Sequence, residues 1–118
     1  NSAIMCLFVN PTAPVLAKLL SDATGRPSGI ESWRRTGERI FALKRAFNNR
    51  LGVRRGHDRL PQRMLLPMSN GSNGRRPRMD IFLTEYYRYR DWDWETGKPT
   101  AQKLVSLGLP EVAEELWG

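Results

Sequence analysis

The sequence predicts a mainly α fold, a compact helical domain with one long helix, several shorter helices and a long central loop. Apolar residues recur at intervals of three and four in three separate segments, which is the spacing of one helix face. Helix-capping residues and glycines mark the ends of these and of two shorter segments. No internal repeat and no convincing β-hairpin pattern is present. We therefore expect residues 1–118 to form a single helical domain.

The first predicted helix spans residues 14–24, and Gly25 suits the left-handed position that follows a last helical turn. The long helix is predicted over about residues 29–51. Ser28 and Glu31 form an S-x-x-E capping box at its start, in which each residue satisfies a backbone N–H of the first turn. Gly52 then closes the helix.

One apolar stripe runs along the long helix, the pattern of a face that packs against a core. Gly37 lies within this stripe although glycine costs a helix about 1 kcal/mol, and a close approach of a second helix would explain its presence. Several charged and polar residues lie largely off the stripe. The stripe comprises Ile30, Trp33, Gly37, Ile40, Leu43, Phe47 and Leu51, and the residues off it include Arg34, Arg35, Glu38, Arg45 and Asn49.

Residues 53–78 are predicted to form an irregular loop, because they contain three prolines and the segment SNGSNG. We expect the apolar run RMLLPM inside this loop to be held against the core. Helical spacing returns over residues 79–90, with Tyr86 and Tyr89 expected in the core and the tryptophans of WDWETGKP as packing anchors. Thr100 caps a short helix that ends at Gly108, and Pro110 begins the last helix.

Charge is distributed unevenly along the chain. The formal net charge is +7, yet residues 26–78 alone carry +11 and the remainder carries −4. A basic stretch attracts phosphate backbones or acidic protein surfaces. No helix-turn-helix or other nucleic-acid-binding module frames these arginines, so the sequence does not favour nucleic acid. A basic helical module that binds nucleic acid or an acidic protein remains the alternative function.

Membrane insertion and secretion are not indicated. The longest apolar run, residues 3–9, is far shorter than the roughly 20 residues of a membrane-spanning helix, and it lacks the flanks of a signal peptide. A single cysteine favours a reducing, cytoplasmic setting. Because the first residue is Asn, we expect a processed or excised piece of a longer chain. The one histidine, His57, has no nucleophile or metal companion nearby, which is typical of a solvated or locally hydrogen-bonded loop histidine.

Cys6 allows two interpretations. A free cysteine commonly behaves as a small buried hydrophobic residue. It is otherwise one ligand of a metal cluster, but a [4Fe–4S] cluster requires three more thiolates, which this chain does not contain. The residues by themselves leave both interpretations open.

Three segments in a fixed order carry a resemblance to a known family. They read NSAIMC at residues 1–6, GERIFALKRAFNNRLGVRRGHDRLPQR at 37–63, and EYYRYRDWDWETGKPTAQKLVSLGL at 85–109. They resemble the C-terminal portion of the aldehyde:ferredoxin oxidoreductases, whose segments read D-x-x-G-[LV]-C, G-E-R-I-x-x-L-x-R-x-F-N-x-R-x-G-x-x-R-x-x-D-x-L-P-x-R, and Y-Y-x-x-R-x-W-D…G-x-P-T-x-x-K-L-x-x-L-G-L. The similarity extends over nearly the whole chain, although Asn1 stands in the place of the aspartate and Ile4 in that of the glycine.

The resemblance implies a cytoplasmic enzyme that oxidises aldehydes to carboxylic acids. Tungsten, or sometimes molybdenum, held by two pterins carries the reaction in this family, and a [4Fe–4S] cluster passes the electrons to ferredoxin. Cys6 matches the fourth cluster ligand, and Asn1 takes the place of an aspartate that hydrogen-bonds a pterin. Residues 1–9 would thus be the segment nearest to the cofactors. A relative with a different substrate, such as the tungsten subunit of an aryl-CoA reductase, is the nearest alternative.

The same resemblance implies the partners. These are the N-terminal domains of the same enzyme and ferredoxin, and a homodimer is a possible assembly of the full enzyme. Part of the basic stretch would pack against those domains, or face acidic ferredoxin or the pterin phosphates. No catalytic residue is expected among the 118, and this chain alone is expected to be inactive and to bind neither metal nor pterin.

Overall fold

Five α-helices joined by irregular segments make up the structure. The structure is a computed structural model that describes residues 6–27, 29–67 and 73–118. These residues contain no β-strand, only one isolated bridge between Trp92 and Pro99. The mainly α class is therefore confirmed. The helices are α1 (Ala13–Thr24), α2 (Ile30–Arg50), α3 (Met79–Arg90), α4 (Ala101–Ser106) and α5 (Pro110–Trp117), with short 3-10 turns at Leu7–Val9, Arg55–His57 and Gln62–Leu65.

The helix ends follow the capping residues of the sequence. Gly25 ends α1 with a left-handed φ of 65°, which glycine adopts without steric cost. The Thr100 hydroxyl accepts a hydrogen bond from the backbone N–H of Lys103 at 3.1 Å, as expected for the cap of α4. Helix α2 begins at Ile30 after Gly29, whereas Ser28 of the predicted capping box lies outside the described residues.

The hydrophobic core lies where α4 and α5 pack against each other and against α2. Leu104 of α4 is fully buried at its centre. Helix α2 contributes only two small apolar side chains, which allow α5 to approach it. The buried core residues are Ala42, Ala46, Leu104, Leu107, Leu109, Ala113 and Leu116.

The predicted apolar stripe of α2 does not face this core. Leu43, Phe47 and Leu51 are 44%, 59% and 70% exposed. The buried side of α2 instead carries Ala42, Arg45, Ala46 and Asn49. Leu43 and Phe47 lie at the edge of that side, where they border a groove with Ala46 and with Val112 and Leu116 of α5. No second helix of the described residues approaches Gly37 closely, since a Cβ at this position would meet none of their atoms within 4 Å.

Two further expectations about the core are wrong. Tyr87 is the buried tyrosine of α3, at 2% exposure, whereas Tyr86 and Tyr89 are 37% and 58% exposed. In the central loop, Met64 and Leu66 are more than half exposed, so the apolar run is not held against the core over residues 63–67. Apart from two short 3-10 turns, the described parts of this loop are irregular, as expected.

Candidate functional site

Cys6 stands at the start of the described chain and is exposed. Its carbonyl accepts a hydrogen bond from the backbone N–H of Val9 at 3.2 Å, which closes the 3-10 turn over Leu7–Val9. Phe8 is 97% exposed and Val9 is 66% exposed, so an apolar segment next to the thiol is uncovered. The thiol is thus free of the core and accessible to a ligand, and the interpretation of Cys6 as a buried hydrophobic residue is wrong. Asn1 lies outside the described residues.

Cys6 is the one thiol that the described residues could contribute to a metal centre. Within it, no group of three or more His, Cys, Asp or Glu side chains is placed to hold a metal ion. An iron–sulfur cluster of the [4Fe–4S] type takes four thiolates. Cys6 therefore fits a cluster only as a single ligand, with the remaining ligands supplied from outside residues 6–27, 29–67 and 73–118.

His57 lies in the 3-10 turn over Arg55–His57 and is exposed. Its Nδ1 accepts a hydrogen bond from the backbone N–H of Arg54 at 2.8 Å. This local contact is the role that the sequence predicted for the histidine. His57 thereby stabilises the turn over Arg55–His57.

The main polar cluster of the chain is centred on Arg45, which is only 8% exposed. Its Nη1 and Nη2 donate to the two carboxylate oxygens of Asp58 at 2.8 and 2.7 Å. Its Nε donates to the Gly97 carbonyl at 2.7 Å. The Tyr87 hydroxyl accepts from Arg45 Nη2 at 3.0 Å and donates to Asp58. We call Arg45, Asp58, Tyr87 and Gly97 the Arg45 junction, because it joins α2, the central loop, α3 and the turn before α4.

Burial and pairing oppose each other in this junction. Burial tends to raise the pKa of the Asp58 carboxyl, but the hydrogen bonds from Arg45 and Tyr87 and the charge of Arg45 outweigh it, so this pKa lies below its ordinary value. Burial, together with the hydrogen bond to Asp58, raises the pKa of Tyr87 to about 12. Asp58 is therefore an anion and Tyr87 a neutral donor at neutral pH, which are the states of a structural network.

Aromatic rings surround the junction and alternate with guanidinium groups. Arg45 lies 4.5 Å from the ring centroid of Trp92, which in turn stacks on Phe41. Arg55 lies 4.1 Å from the ring centroid of Trp94, and Arg90 packs over Phe41. The tryptophans are packing anchors, as the sequence predicted. Two arginines of the basic stretch, Arg45 and Arg55, are engaged inside the fold and are not open surface charges.

Sequence reasoning missed the Arg45 junction because it placed Arg45 off the apolar face and assigned Asp58 no partner. One signal was present. Both positions are among those that the pattern quoted for residues 37–63 specifies by residue type. A charged residue specified together with a carboxylate thirteen positions later is a candidate ion pair, and the fold brings the two together.

None of the described helices is long and apolar enough to cross a membrane.

Comparisons with known proteins place the chain in a family. The family model described as aldehyde ferredoxin oxidoreductase, domains 2 and 3, matches residues 1–109. The tungsten-containing aldehyde ferredoxin oxidoreductase of Pyrococcus furiosus is 37% identical over 116 residues, which cover 94% of this chain and 19% of that protein. The same enzymes of Pyrococcus abyssi and Thermococcus kodakarensis are 35% and 34% identical over the same shares of each chain.

The chain spans about a fifth of the length of these curated relatives. No solved structure matches it significantly. The family match over residues 1–109 nonetheless covers helices α1 to α4, the Arg45 junction and Cys6. This chain belongs to the aldehyde ferredoxin oxidoreductase family.

Proposed function

We propose that this chain is the C-terminal helical part of a tungsten–pterin oxidoreductase that oxidises aldehydes to carboxylic acids. The observation that carries the proposal is the family match over residues 1–109. The relatives, each named a tungsten-containing aldehyde ferredoxin oxidoreductase, align along 94% of the chain, which supports the same reaction class. Ferredoxin is the proposed electron acceptor, and the cytoplasm is the proposed location.

Within that enzyme Cys6 is proposed to be one of four ligands of a [4Fe–4S] cluster. Its exposed thiol and the apolar, uncovered residues beside it support this role. The bound cluster and metal–pterin centre supply the electron-transfer chemistry. The chain's own contribution is a thiolate at a fixed place on a helical body, and Asn1 is proposed to contact a pterin from the same segment.

The preceding domains are proposed to bring the other cluster ligands and the residues that act on the substrate. This chain alone is proposed to be inactive, because one thiolate does not hold a cluster. A homodimer is proposed as the assembly of the full enzyme.

The test is the replacement Cys6→Ala in the full-length oxidoreductase. We expect the iron content per protein to fall and the electron paramagnetic resonance signal of the reduced cluster to be lost or altered. Thr12→Ser, six residues further along the chain and retaining a hydroxyl, is the control and should leave both unchanged. An undiminished cluster in Cys6→Ala would contradict the ligand assignment. Aldehyde-dependent reduction of an artificial electron acceptor by the wild-type enzyme tests the substrate class.

A further inference from the structure

One side of α2 carries large apolar side chains that the described structure leaves partly exposed. Leu43, Phe47 and Leu51 follow one another along this side and are 44%, 59% and 70% exposed. A shallow, mostly apolar depression of about 510 Å³ lies here, lined by Leu43 and Phe47 with Lys44 and Asn48. We call Leu43, Phe47 and Leu51 the outer face of α2.

Helix α5 covers α2 at Ala42 and Ala46. It reaches only the edge of the outer face, where Val112 and Leu116 border Leu43 and Phe47. Gly37 lies on the same helix six residues before Leu43, and a Cβ at this position would meet no described atom within 4 Å. A glycine in mid-helix lowers helix stability, and it permits a neighbouring backbone to approach closely. The outer face is therefore an apolar surface on which another part of a protein could pack.

The family enzymes contain further residues that could cover the outer face of α2. The curated relatives are about five times as long as this chain. Residues of the same polypeptide cover an apolar face without the loss of translational and rotational freedom that a second molecule must overcome. We propose that the outer face of α2 packs against the preceding domains of the same oxidoreductase. This inference rests on the proposed function, in that it takes the chain as the C-terminal part of a family enzyme.

Thiol accessibility in the full-length oxidoreductase tests the docking. Phe47→Cys introduces a thiol into the outer face, and Val105→Cys on α4 is the matched control, since Val105 is 56% exposed and lies outside that face. Leu43→Cys is a second variant of the face in case Phe47→Cys is produced poorly. Each protein is alkylated with N-ethylmaleimide under native conditions, and the labelled peptides are quantified by mass spectrometry so that Cys6 is scored separately. A denatured sample of each variant gives the reference rate.

We expect the thiol at position 47 to react at least about tenfold more slowly than the thiol at position 105, because labelling then requires the interface to open. Similar rates at the two positions, whether fast or slow, would overturn the proposal. Protection that disappears when the enzyme is diluted to a monomer would also overturn it, since a second copy would then be the occupant. Iron and tungsten contents of the same samples report on the proposed function independently. Slow labelling without either metal would defeat that function and leave the docking intact.

Discussion

Arg45 and Asp58 are joined by two parallel hydrogen bonds, from Nη1 to Oδ1 at 2.8 Å and from Nη2 to Oδ2 at 2.7 Å. This geometry orients both groups, because the guanidinium fork matches the two oxygens of the carboxylate. The pair holds the start of the central loop against α2. Since the Arg45 side chain is 8% exposed and that of Asp58 23%, neither charge is fully hydrated, and each depends on the other.

Replacing Arg45 by methionine should lower the free energy of unfolding by about 3–5 kcal/mol, because the variant leaves the carboxylate of Asp58 partly buried without its counter-charge. Arg45→Lys should also be destabilised, since an ammonium group does not form the paired hydrogen bonds. Urea denaturation followed by circular dichroism measures both losses.

Arg50→Met is the matched control for that experiment on the same helix. Arg50 pairs with Glu115 at 2.7 Å, but the two side chains are 60% and 49% exposed. An exposed pair of this kind contributes at most about 1 kcal/mol. Equal losses in Arg45→Met and Arg50→Met would show that the junction is no stronger than a surface pair.

The junction should also weaken in acid. The pKa of Asp58 is held below its ordinary value by Arg45 and Tyr87 against the effect of burial. The unfolded chain therefore takes up the proton first as the pH falls, and the stabilisation present above the ordinary aspartate pKa is lost as the pH passes through the folded value. The stability difference between the wild type and Asp58→Asn should be constant near neutrality and shrink below about pH 4.

Denaturation midpoints measured at a series of pH values check this behaviour. Asp22→Asn provides the comparison, because Asp22 pairs with Lys18 on an exposed surface, with side chains 61% and 77% exposed. That replacement should change the stability by no more than about 1 kcal/mol. A stability difference for Asp58→Asn that stays unchanged into acid would contradict the assigned coupling.

Gly97 and Gly108 have nearly the same φ but different surroundings. Comparing alanine at the two positions therefore distinguishes the cost of the left-handed backbone from the cost of steric crowding. Gly97 has a φ of 75° and Gly108 a φ of 74°. Alanine at either position incurs the left-handed cost of about 1–2 kcal/mol. Only at Gly97 would the new Cβ also lie 2.5 Å from Arg45 Nη2 and 2.8 Å from the backbone nitrogen of Arg55.

We therefore expect Gly97→Ala to lose about 1–3 kcal/mol more stability than Gly108→Ala, the usual range for an overpacked site. Thermal or urea unfolding of the two variants side by side measures the difference. If the two lose the same stability, the crowding at the Arg45 junction has no energetic effect.

The helices of this chain follow from local signals, and their bounds could be predicted. The observed ends of α1, α2 and α3 lie within one residue of those expected from apolar spacing, proline and glycine. The orientation of α2 could not be predicted, because periodicity detects every apolar side of a helix without saying which one this chain covers. Ala42 and Ala46 carry the contact with the core although their side chains are too small to dominate the pattern.

The burial of Arg45 in the Arg45 junction could not be predicted from the sequence, for a different reason. Residue type alone places an arginine at the surface, and only long-range partners make its burial favourable. Those partners lie 13, 42 and 52 residues further along the chain, at Asp58, Tyr87 and Gly97. Burial of Tyr87 depends on the same partners, because its hydroxyl is tolerated inside only where Arg45 and Asp58 satisfy its hydrogen bonds. Cys6, by contrast, is identifiable from the sequence because it is the one cysteine.

The carbonyl oxygen of Gly97 accepts from Arg45 Nε at 2.7 Å and from Asn49 Nδ2 at 3.3 Å. With both lone pairs engaged, the peptide plane between Gly97 and Lys98 does not flip unless two bonds break together. Lys98 follows this fixed peptide plane, and its Nζ donates to the carbonyl oxygen of Leu116 at 2.6 Å. Two side chains of α2 thus set the direction from which the final helix is tethered.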